Sequence, residues 1–68
     1  MKDISNEARR HYHFPDGDKT SVENPQTLHE VHLPHGDIHE IVCADGKTVT
    51  LYGPWRMITT IPHPTPDE

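Results

Sequence analysis

The stretch LHEVHLPHGDIHEIVCADGKTVTLY, residues 28–52, decides the fold class of this chain. It contains three runs rich in apolar and β-branched residues, and the pairs His35-Gly36 and Asp45-Gly46 separate them. Asp-Gly between two such runs is a strong hairpin signal, because a type I′ turn needs positive φ at both central positions. His-Gly is a weaker form of this signal, since histidine is among the residues enriched at positive φ. The stretch therefore predicts three antiparallel strands joined by two tight turns.

Turn-forming glycine and proline residues also separate the segments on both sides of this stretch. Asp16-Gly17 predicts another hairpin, Pro25 separates that hairpin from the next, and Gly53-Pro54 interrupts the last run. No run has a helical period. The sequence thus predicts an all-β fold of five to six short strands, forming a small antiparallel barrel or rolled sheet of the SH3-like or OB-like kind. The expected strands are 10–14, 19–23, 28–33, 38–44, 47–52 and 55–61.

Two-residue loops also predict which side chains share a face, because side chains alternate along a strand. If His35-Gly36 and Asp45-Gly46 are the loops, His32 lies opposite His39. One face then gathers the apolar side chains and is the expected core, with Glu40 as its one acidic member. That face comprises Val31, Leu33, Ile38, Val42, Ala44, Val49 and Leu51.

The length and composition limit the domain organisation. With 68 residues, 7.8 kDa and 31% hydrophobic residues, the chain has room for one small domain. We expect a flexible N-terminal tail over 1–8, a single β domain over 9–62, and a flexible Pro-rich acidic tail over 63–68. A domain of this size buries little core, so a partner or a homodimer is a reasonable expectation.

Charge and cysteine usage bear on the surroundings of the protein. The formal net charge of -5 disfavours general nucleic-acid binding, which needs cations to displace counterions from phosphates. No apolar run approaches the roughly 20 residues of a membrane-spanning helix. Cys43 is the only cysteine, so no internal disulfide can form. We therefore expect a cytoplasmic protein without membrane contact.

We expect no enzymatic activity, no cofactor and no physiological metal. The chain has no phosphate loop and no dinucleotide fingerprint. Cys43 has no adjoining helix N-terminus or glycine that would activate a thiol. The aspartates between the strands fall in turns, where aspartate is favoured for local backbone hydrogen bonds.

Seven histidines are the most unusual feature of the composition. His11 and His13 point to the same side of a strand, and the proposed register sets His32 against His39. Imidazoles are ligands that zinc, copper and nickel accept. Scattered surface imidazoles are the preferred interpretation, and a His-rich metal-binding domain is the third function considered.

Protein binding is the function that the remaining residues favour. Tyr52, Trp55 and Arg56 belong to the residue types enriched in interface hot spots. The sequence leaves open whether Trp55 plugs the core or anchors a partner. The alternative is a nucleic-acid-binding β-barrel that uses its aromatics with Arg9 and Arg10. We therefore expect a small acidic adaptor or inhibitor, of a size found among phage- or plasmid-borne inhibitors, that occludes a partner surface. The expected contact residues are Tyr52, Trp55, Arg56, Asp16, Asp18, Asp37 and Asp45.

Overall fold

The structure is a computed structural model that describes residues 1–64, and all its regular elements are β-strands. This confirms the predicted all-β class. Six of the strands correspond to the predicted ones, and a short additional strand precedes them. The strands are β1 (Lys2–Asp3), β2 (Glu7–His13), β3 (Lys19–Glu23), β4 (Pro25–Leu33), β5 (Gly36–Cys43), β6 (Thr48–Tyr52) and β7 (Met57–Pro62).

These strands form two antiparallel sheets, whereas the sequence predicts a small barrel or a rolled sheet, and residues 1–64 form no closed barrel. One sheet has the order β1-β4-β5-β6, and the other has the order β3-β2-β7. The chain passes between them at Asn24, whose φ of 49° makes a sharp corner directly before Pro25. The Asn24 N–H donates to the Ala8 carbonyl at 2.8 Å, and the Ala44 N–H donates to the Asn24 carbonyl at 2.9 Å. The strands of the described residues do not close into a barrel, and the SH3-like or OB-like assignment is not confirmed.

The β4–β5 hairpin turns one residue earlier than predicted. Leu33 pairs with Gly36, so the loop is Pro34-His35 and not His35-Gly36. Proline explains the difference, since its fixed φ suits the first central position of a turn. His32 consequently lies opposite Asp37, and the predicted pair of His32 with His39 is wrong.

The β5–β6 hairpin has a longer loop than predicted, and this reverses part of the expected core. The Cys43 N–H donates to the Lys47 carbonyl at 2.8 Å, and Gly46 has a φ of 88°. The three residues 44–46 therefore form the loop, and the register moves by one residue so that His39 pairs with Leu51. The buried face of β5 carries His39, Ile41 and Cys43. Val42 and Leu33, both expected in the core, are each 37% exposed.

Both sheets contribute to the hydrophobic core. Tyr12 and Val22 come from the β3-β2-β7 sheet, whereas Leu28, Ile41 and Leu51 come from the other. Phe14, Val49, Trp55 and Ile58 pack around this cluster. Side chains from both sheets therefore form one shared hydrophobic cluster.

The N-terminal residues take part in the fold, whereas the sequence predicts a flexible tail over 1–8. Lys2–Asp3 pairs with β4, and the Ile4 N–H donates to the Gln26 carbonyl at 2.9 Å. Ile4 is the large aliphatic side chain of this segment, and it is buried in the hydrophobic core. Of the predicted tail over 63–68, only His63 and Pro64 are described, both exposed, and the rest lies outside the described residues. Within residues 1–64, no helix is present that has the length and apolar character needed to cross a membrane.

Candidate functional site

A concave surface lies at one end of the molecule, between the β4–β5 turn and the β6–β7 connection. This surface, the end groove, is an open depression of about 350 Å³. Most of its lining residues have an apolar side chain or none, and Asp37 is the acidic residue among them. The residues that line it are Leu33, Pro34, Gly36, Asp37, Gly53, Pro54 and Trp55.

A close backbone approach holds the two sides of the end groove together. The Gly53 N–H donates to the Asp37 carbonyl at 2.7 Å. A Cβ atom on Gly53 would lie 3.2 Å from that carbonyl oxygen and 3.3 Å from the Asp37 nitrogen. Both neighbours are backbone atoms, so they cannot swing away as a side chain could. Glycine at position 53 therefore permits the contact that shapes the site.

Tyr52 lies beside the end groove, on the far side of this backbone contact. A second hollow of about 190 Å³ shares Leu33, Gly36, Asp37 and Gly53 with the end groove, and Tyr52 is part of its wall. The Tyr52 side chain is 65% exposed. An aromatic ring so accessible next to a concave surface is available to a binding partner.

Trp55 joins the end groove to the core. Its ring lies 4.5 Å from the His39 ring and 5.0 Å from the Tyr12 ring, centroid to centroid. The contact with Tyr12 has an edge-to-face geometry, which aromatic pairs favour. Trp55 is half-buried and also lines the end groove. It therefore packs on the core with one part and faces the site with another.

The fold brings some of the predicted contact residues together and separates one of them. Asp37, Trp55 and Tyr52 meet at the end groove and the adjoining hollow. Arg56 is exposed next to Trp55 in the chain, and its N–H donates to the His13 carbonyl at 2.6 Å. The turn with Asp16 and Asp18 follows closely after His13 in the chain, so it lies at the same end of the molecule. The fold places Asp45 at the opposite end, because β5 runs between Asp37 and the Asp45 turn.

The turn aspartates also serve the backbone locally. Asp16 Oδ1 accepts the N–H of Asp18 at 3.0 Å, and Asp45 Oδ1 accepts the N–H of Lys47 at 3.0 Å. Their remaining carboxylate oxygens face solvent, since both residues are exposed. This is the turn chemistry that the sequence predicts for them.

A buried polar chain lies directly behind the end groove. The Tyr12 hydroxyl and His39 Nδ1 share a hydrogen bond of 2.6 Å, and His39 Nε2 lies 3.6 Å from Glu30 Oε2. The other oxygen of Glu30 lies 3.4 Å from Lys2 Nζ. Tyr12 is fully buried and His39 is 4% exposed. A substrate cannot reach the Tyr12 hydroxyl in this structure, so the chain of groups acts as a support for the core and Trp55.

Burial sets the protonation of these groups. It lowers the pKa of His39 below the ordinary value of 6.5, against the opposing effect of the Glu30 carboxylate. Burial also raises the pKa of the Tyr12 phenol, although the Arg10 guanidinium acts in the opposite direction. Both groups are therefore neutral near pH 7, which matches a hydrogen bond between a neutral hydroxyl and a neutral imidazole.

The sequence analysis did not predict the buried contacts of Tyr12, His39 and Glu30. Of the residues that line the end groove, it singled out only Asp37 and Trp55 as contact residues. The register error put His39 on the outer face, so nothing connected it with Tyr12. Two prolines that line the end groove, Pro34 and Pro54, are not among the contact residues predicted from the sequence. Pro34 lies in the β4–β5 turn and Pro54 in the β6–β7 connection, and their proximity follows from the packing of these two connections.

Arg9 and Arg10, the cations of the nucleic-acid alternative, are both engaged with acidic side chains. Arg9 Nε lies 2.6 Å from Glu23 Oε2, and Arg10 Nη1 lies 3.2 Å from Glu7 Oε2. Arg10 is largely enclosed, and its guanidinium carbon lies 5.6 Å from the centre of the Tyr12 ring. These pairs weaken the expected attraction of this patch for phosphates.

The histidines do not form a multidentate metal cage in the described part of the chain. Among residues 1–64, no three His, Cys, Asp or Glu side chains converge to hold an ion. His11 and His13 do share the outer face of β2, with ring centroids 6.3 Å apart. Cys43 is buried and free, and burial raises the pKa of its thiol, with Asp45 acting in the same direction.

Comparisons of the chain with protein-family models, with curated proteins and with solved structures found no match. The case for a function therefore rests on the residues and the geometry described above.

Proposed function

We propose that this chain is a small non-enzymatic protein-binding module whose contact surface is the end groove together with Tyr52. The observation that carries the proposal is that Trp55 and Tyr52 line two adjoining hollows at one end of the molecule, both of which include Asp37. Tyrosine and tryptophan dominate binding hot spots, and an anchor set beside a pocket is their usual arrangement. An adaptor or inhibitor that occludes a partner surface would use such an end.

The electrostatics favour a basic partner. The chain carries a formal net charge of -5, and the acidic residue Asp37 lines the end groove, with Oδ1 of its carboxylate 3.1 Å from His32 Nδ1. Asp16 and Asp18 add two exposed carboxylates at the same end. An acidic surface increases the rate of encounter with a positively charged one and disfavours acidic competitors. The single thiol, Cys43, is compatible with action in a reducing cytoplasm.

The experiment is a quantitative affinity capture from nuclease-treated lysate of the source cell, with wild type and two variants compared side by side. Tyr52→Ala removes the exposed ring beside the end groove. Thr50→Ala is the matched control, because Thr50 is an exposed residue two positions earlier on the same side of β6. We expect one protein to be recovered near one-to-one with wild type and Thr50→Ala and to be lost with Tyr52→Ala. Capture that is unaffected by Tyr52→Ala, or absent altogether, would overturn the proposal.

A second copy of the chain is the partner that the edge strand β7 favours. β7 pairs with β2 on one side, and its sequence Met-Ile-Thr-Thr-Ile-Pro has no charge to block a neighbour. Met57 is 54% exposed and Ile61 is 45% exposed. Antiparallel self-pairing centred on Thr59 would set Met57 against Ile61 of the second copy. Sedimentation over a range of concentrations tests this, with Thr59→Pro expected to abolish any dimer; a monomer at every concentration refutes it.

A further inference from the structure

The outer edge of β6 is a stretch of unpaired backbone next to the end groove. β6 is the last strand of its sheet and pairs only with β5 in the described part of the chain. At its two ends, the Lys47 carbonyl and the Gly53 N–H both form hydrogen bonds with β5. Backbone groups alternate in direction along an antiparallel strand, so Thr48, Thr50 and Tyr52 direct their N–H and C=O groups away from β5. These groups are available to a further strand.

β6 lacks the charges and prolines that protect sheet edges from pairing with another chain. Its sequence is Thr-Val-Thr-Leu-Tyr, and its register with β5 is uninterrupted. By contrast, β1 has two residues, and β3 has a charged residue at each end, Lys19 and Glu23. The other uncharged edge, β7, ends in a proline. Tyr52, the last residue of β6, lines the hollow beside the end groove, so this edge is continuous with the proposed contact surface.

The side chains beside this edge determine which residues suit an added strand. Tyr52 lies opposite Ile38, and Ile38 lies opposite Val31, so three apolar side chains form a row across the outer face of the sheet. In the next row, Thr50 lies opposite Glu40, which is exposed and belongs to no ion pair among residues 1–64. An added strand would lie about 10 Å from β5, which is two strand spacings. A lysine or arginine side chain spans this distance across the short Thr50 and meets the Glu40 carboxylate.

We propose that the β6 edge receives an extended basic segment of the partner protein as a fifth strand of the sheet. This inference rests on the proposed function and specifies how the partner binds. The segment pairs with the backbone at Thr50 and Tyr52 and continues into the end groove. It has an apolar residue opposite Tyr52 and a lysine or arginine opposite Thr50, two positions apart, because side chains alternate along a strand. In this mode of recognition, main-chain hydrogen bonds supply affinity and alternate side chains supply specificity.

Charge favours such a segment over a second copy of this chain at the β6 edge. Each copy has a formal net charge of -5, and the sequence of β6 contains no cation to meet Glu40. Lys47 precedes β6 at the end away from Tyr52, where it repels a basic segment. Asp37 lines the end groove at the other end. These charges direct the segment toward the end groove.

Selection from a library of random displayed peptides tests this chemistry with the purified chain. Peptides of about ten residues are long enough to cover β6, which has five. We expect the enriched peptides to carry a lysine or arginine two positions from an apolar residue. The most enriched peptide is then synthesised and added to the protein. Amide hydrogen exchange, followed by nuclear magnetic resonance, should slow by about tenfold or more at Thr50 and Tyr52, because their N–H groups gain acceptors.

Proline at position 50 tests the edge itself. Thr50→Pro removes an N–H that points away from β5, so the hydrogen bonds between β5 and β6 are kept. It should weaken peptide binding by about tenfold or more, since it removes a main-chain hydrogen bond and its ring obstructs the added strand. Ser21→Pro is the matched control, because positions 18 and 24 of that strand segment bond to β2 and position 21 therefore points away from it. Ser21→Pro and Thr50→Ala, which keeps the N–H, should bind within about twofold of wild type.

Circular dichroism verifies that each variant keeps the β fold, and the exchange measurement needs no variant. The inference is overturned if no peptide is enriched, if the enriched peptides lack the apolar and basic pair, or if Thr50→Pro binds as wild type does. Slowed exchange at Gly53 without any change at Thr50 overturns the edge and leaves the end groove as the contact surface. Slowing that appears without peptide as the protein concentration rises assigns the edge to a second copy and also overturns the inference. Protection at Thr50 and Tyr52, together with lysate capture that Tyr52→Ala does not affect, supports the edge and contradicts the proposed function.

Discussion

The hydrogen bond between the Tyr12 hydroxyl and His39 Nδ1 should contribute measurably to folding stability. It spans 2.6 Å, joins the two sheets and is fully enclosed at the Tyr12 end. Tyr12→Phe removes the hydroxyl and keeps the ring, so the packing against Trp55 is preserved. The buried imidazole nitrogen then has lost its hydrogen-bond partner, and a buried polar group left without a partner costs about 1–3 kcal/mol.

That free energy is large for a domain of this size. A domain of 60–100 residues loses about 4–8 °C of melting temperature for each kcal/mol, so we expect Tyr12→Phe to melt roughly 5–20 °C below wild type. Urea denaturation followed by tryptophan fluorescence gives the free energy of unfolding. Trp55 is the only tryptophan and lies 5.0 Å from the Tyr12 ring, so its emission reports on this region.

Tyr52→Phe is the matched control, because it makes the same chemical change at a ring that is 65% exposed. Its free energy of unfolding should stay within about 0.5 kcal/mol of wild type. A double-mutant cycle with His39→Leu isolates the pair, since the loss on Tyr12→Phe should shrink when the imidazole is absent. The reasoning is refuted if Tyr12→Phe is as stable as wild type, or if its loss is unchanged in the His39→Leu background.

Three further predictions concern the same region. The pKa of His39 is lowered in the fold, so below pH 6.5 the unfolded chain binds a proton more readily than the folded one. The free energy of unfolding should therefore be greatest above pH 6.5 and decline as the pH falls through 6.5. Urea titrations between pH 7.5 and pH 5 measure this, and a slope equal to that of His39→Leu would contradict it. Gly53→Ala should destabilise the fold by about 1 kcal/mol or more, because its Cβ would lie 3.2 Å from the Asp37 carbonyl oxygen. A melting temperature equal to that of wild type would contradict this and show that the backbone shifts there at little cost. The raised pKa and burial of Cys43 predict slow reaction with a disulfide reagent in the native state and fast reaction in urea, and equal rates in both would disprove the assigned burial.

Local patterns predicted the strands of this fold but not how the strands close on one another. β-branched residues and glycine turns placed the segments around β2 to β7 with small boundary errors, because these are local properties of the chain. The register depended on loop length, and Pro34 and Gly46 each changed a loop by a small step. A slip of one residue moves every side chain of a strand to the other face, which is why His39 was expected outside and is inside.

The candidate site was predicted in part for the same reason. Residue type alone singled out Tyr52, Trp55 and Asp37, and the fold brings these three to one end. Asp45 has the same residue type and turn context as Asp37, yet it lies at the opposite end of β5. Distances between separate hairpins follow from tertiary packing, which a single sequence does not encode in any local signal. Trp55 packs on the core and also lines the end groove, and its role as an anchor for a partner stays a prediction.

The most direct test of protein binding at the end groove is site-specific photo-crosslinking in the source cell. A benzophenone side chain replaces Pro34, at the rim of the end groove, and in a parallel variant replaces Asp45, at the opposite end of β5. Both positions are exposed turn residues outside the buried core, and circular dichroism verifies that each variant keeps the β fold. The account predicts a discrete crosslinked partner from position 34 and none from position 45. Crosslinking from position 45 alone, or from neither position, would contradict it.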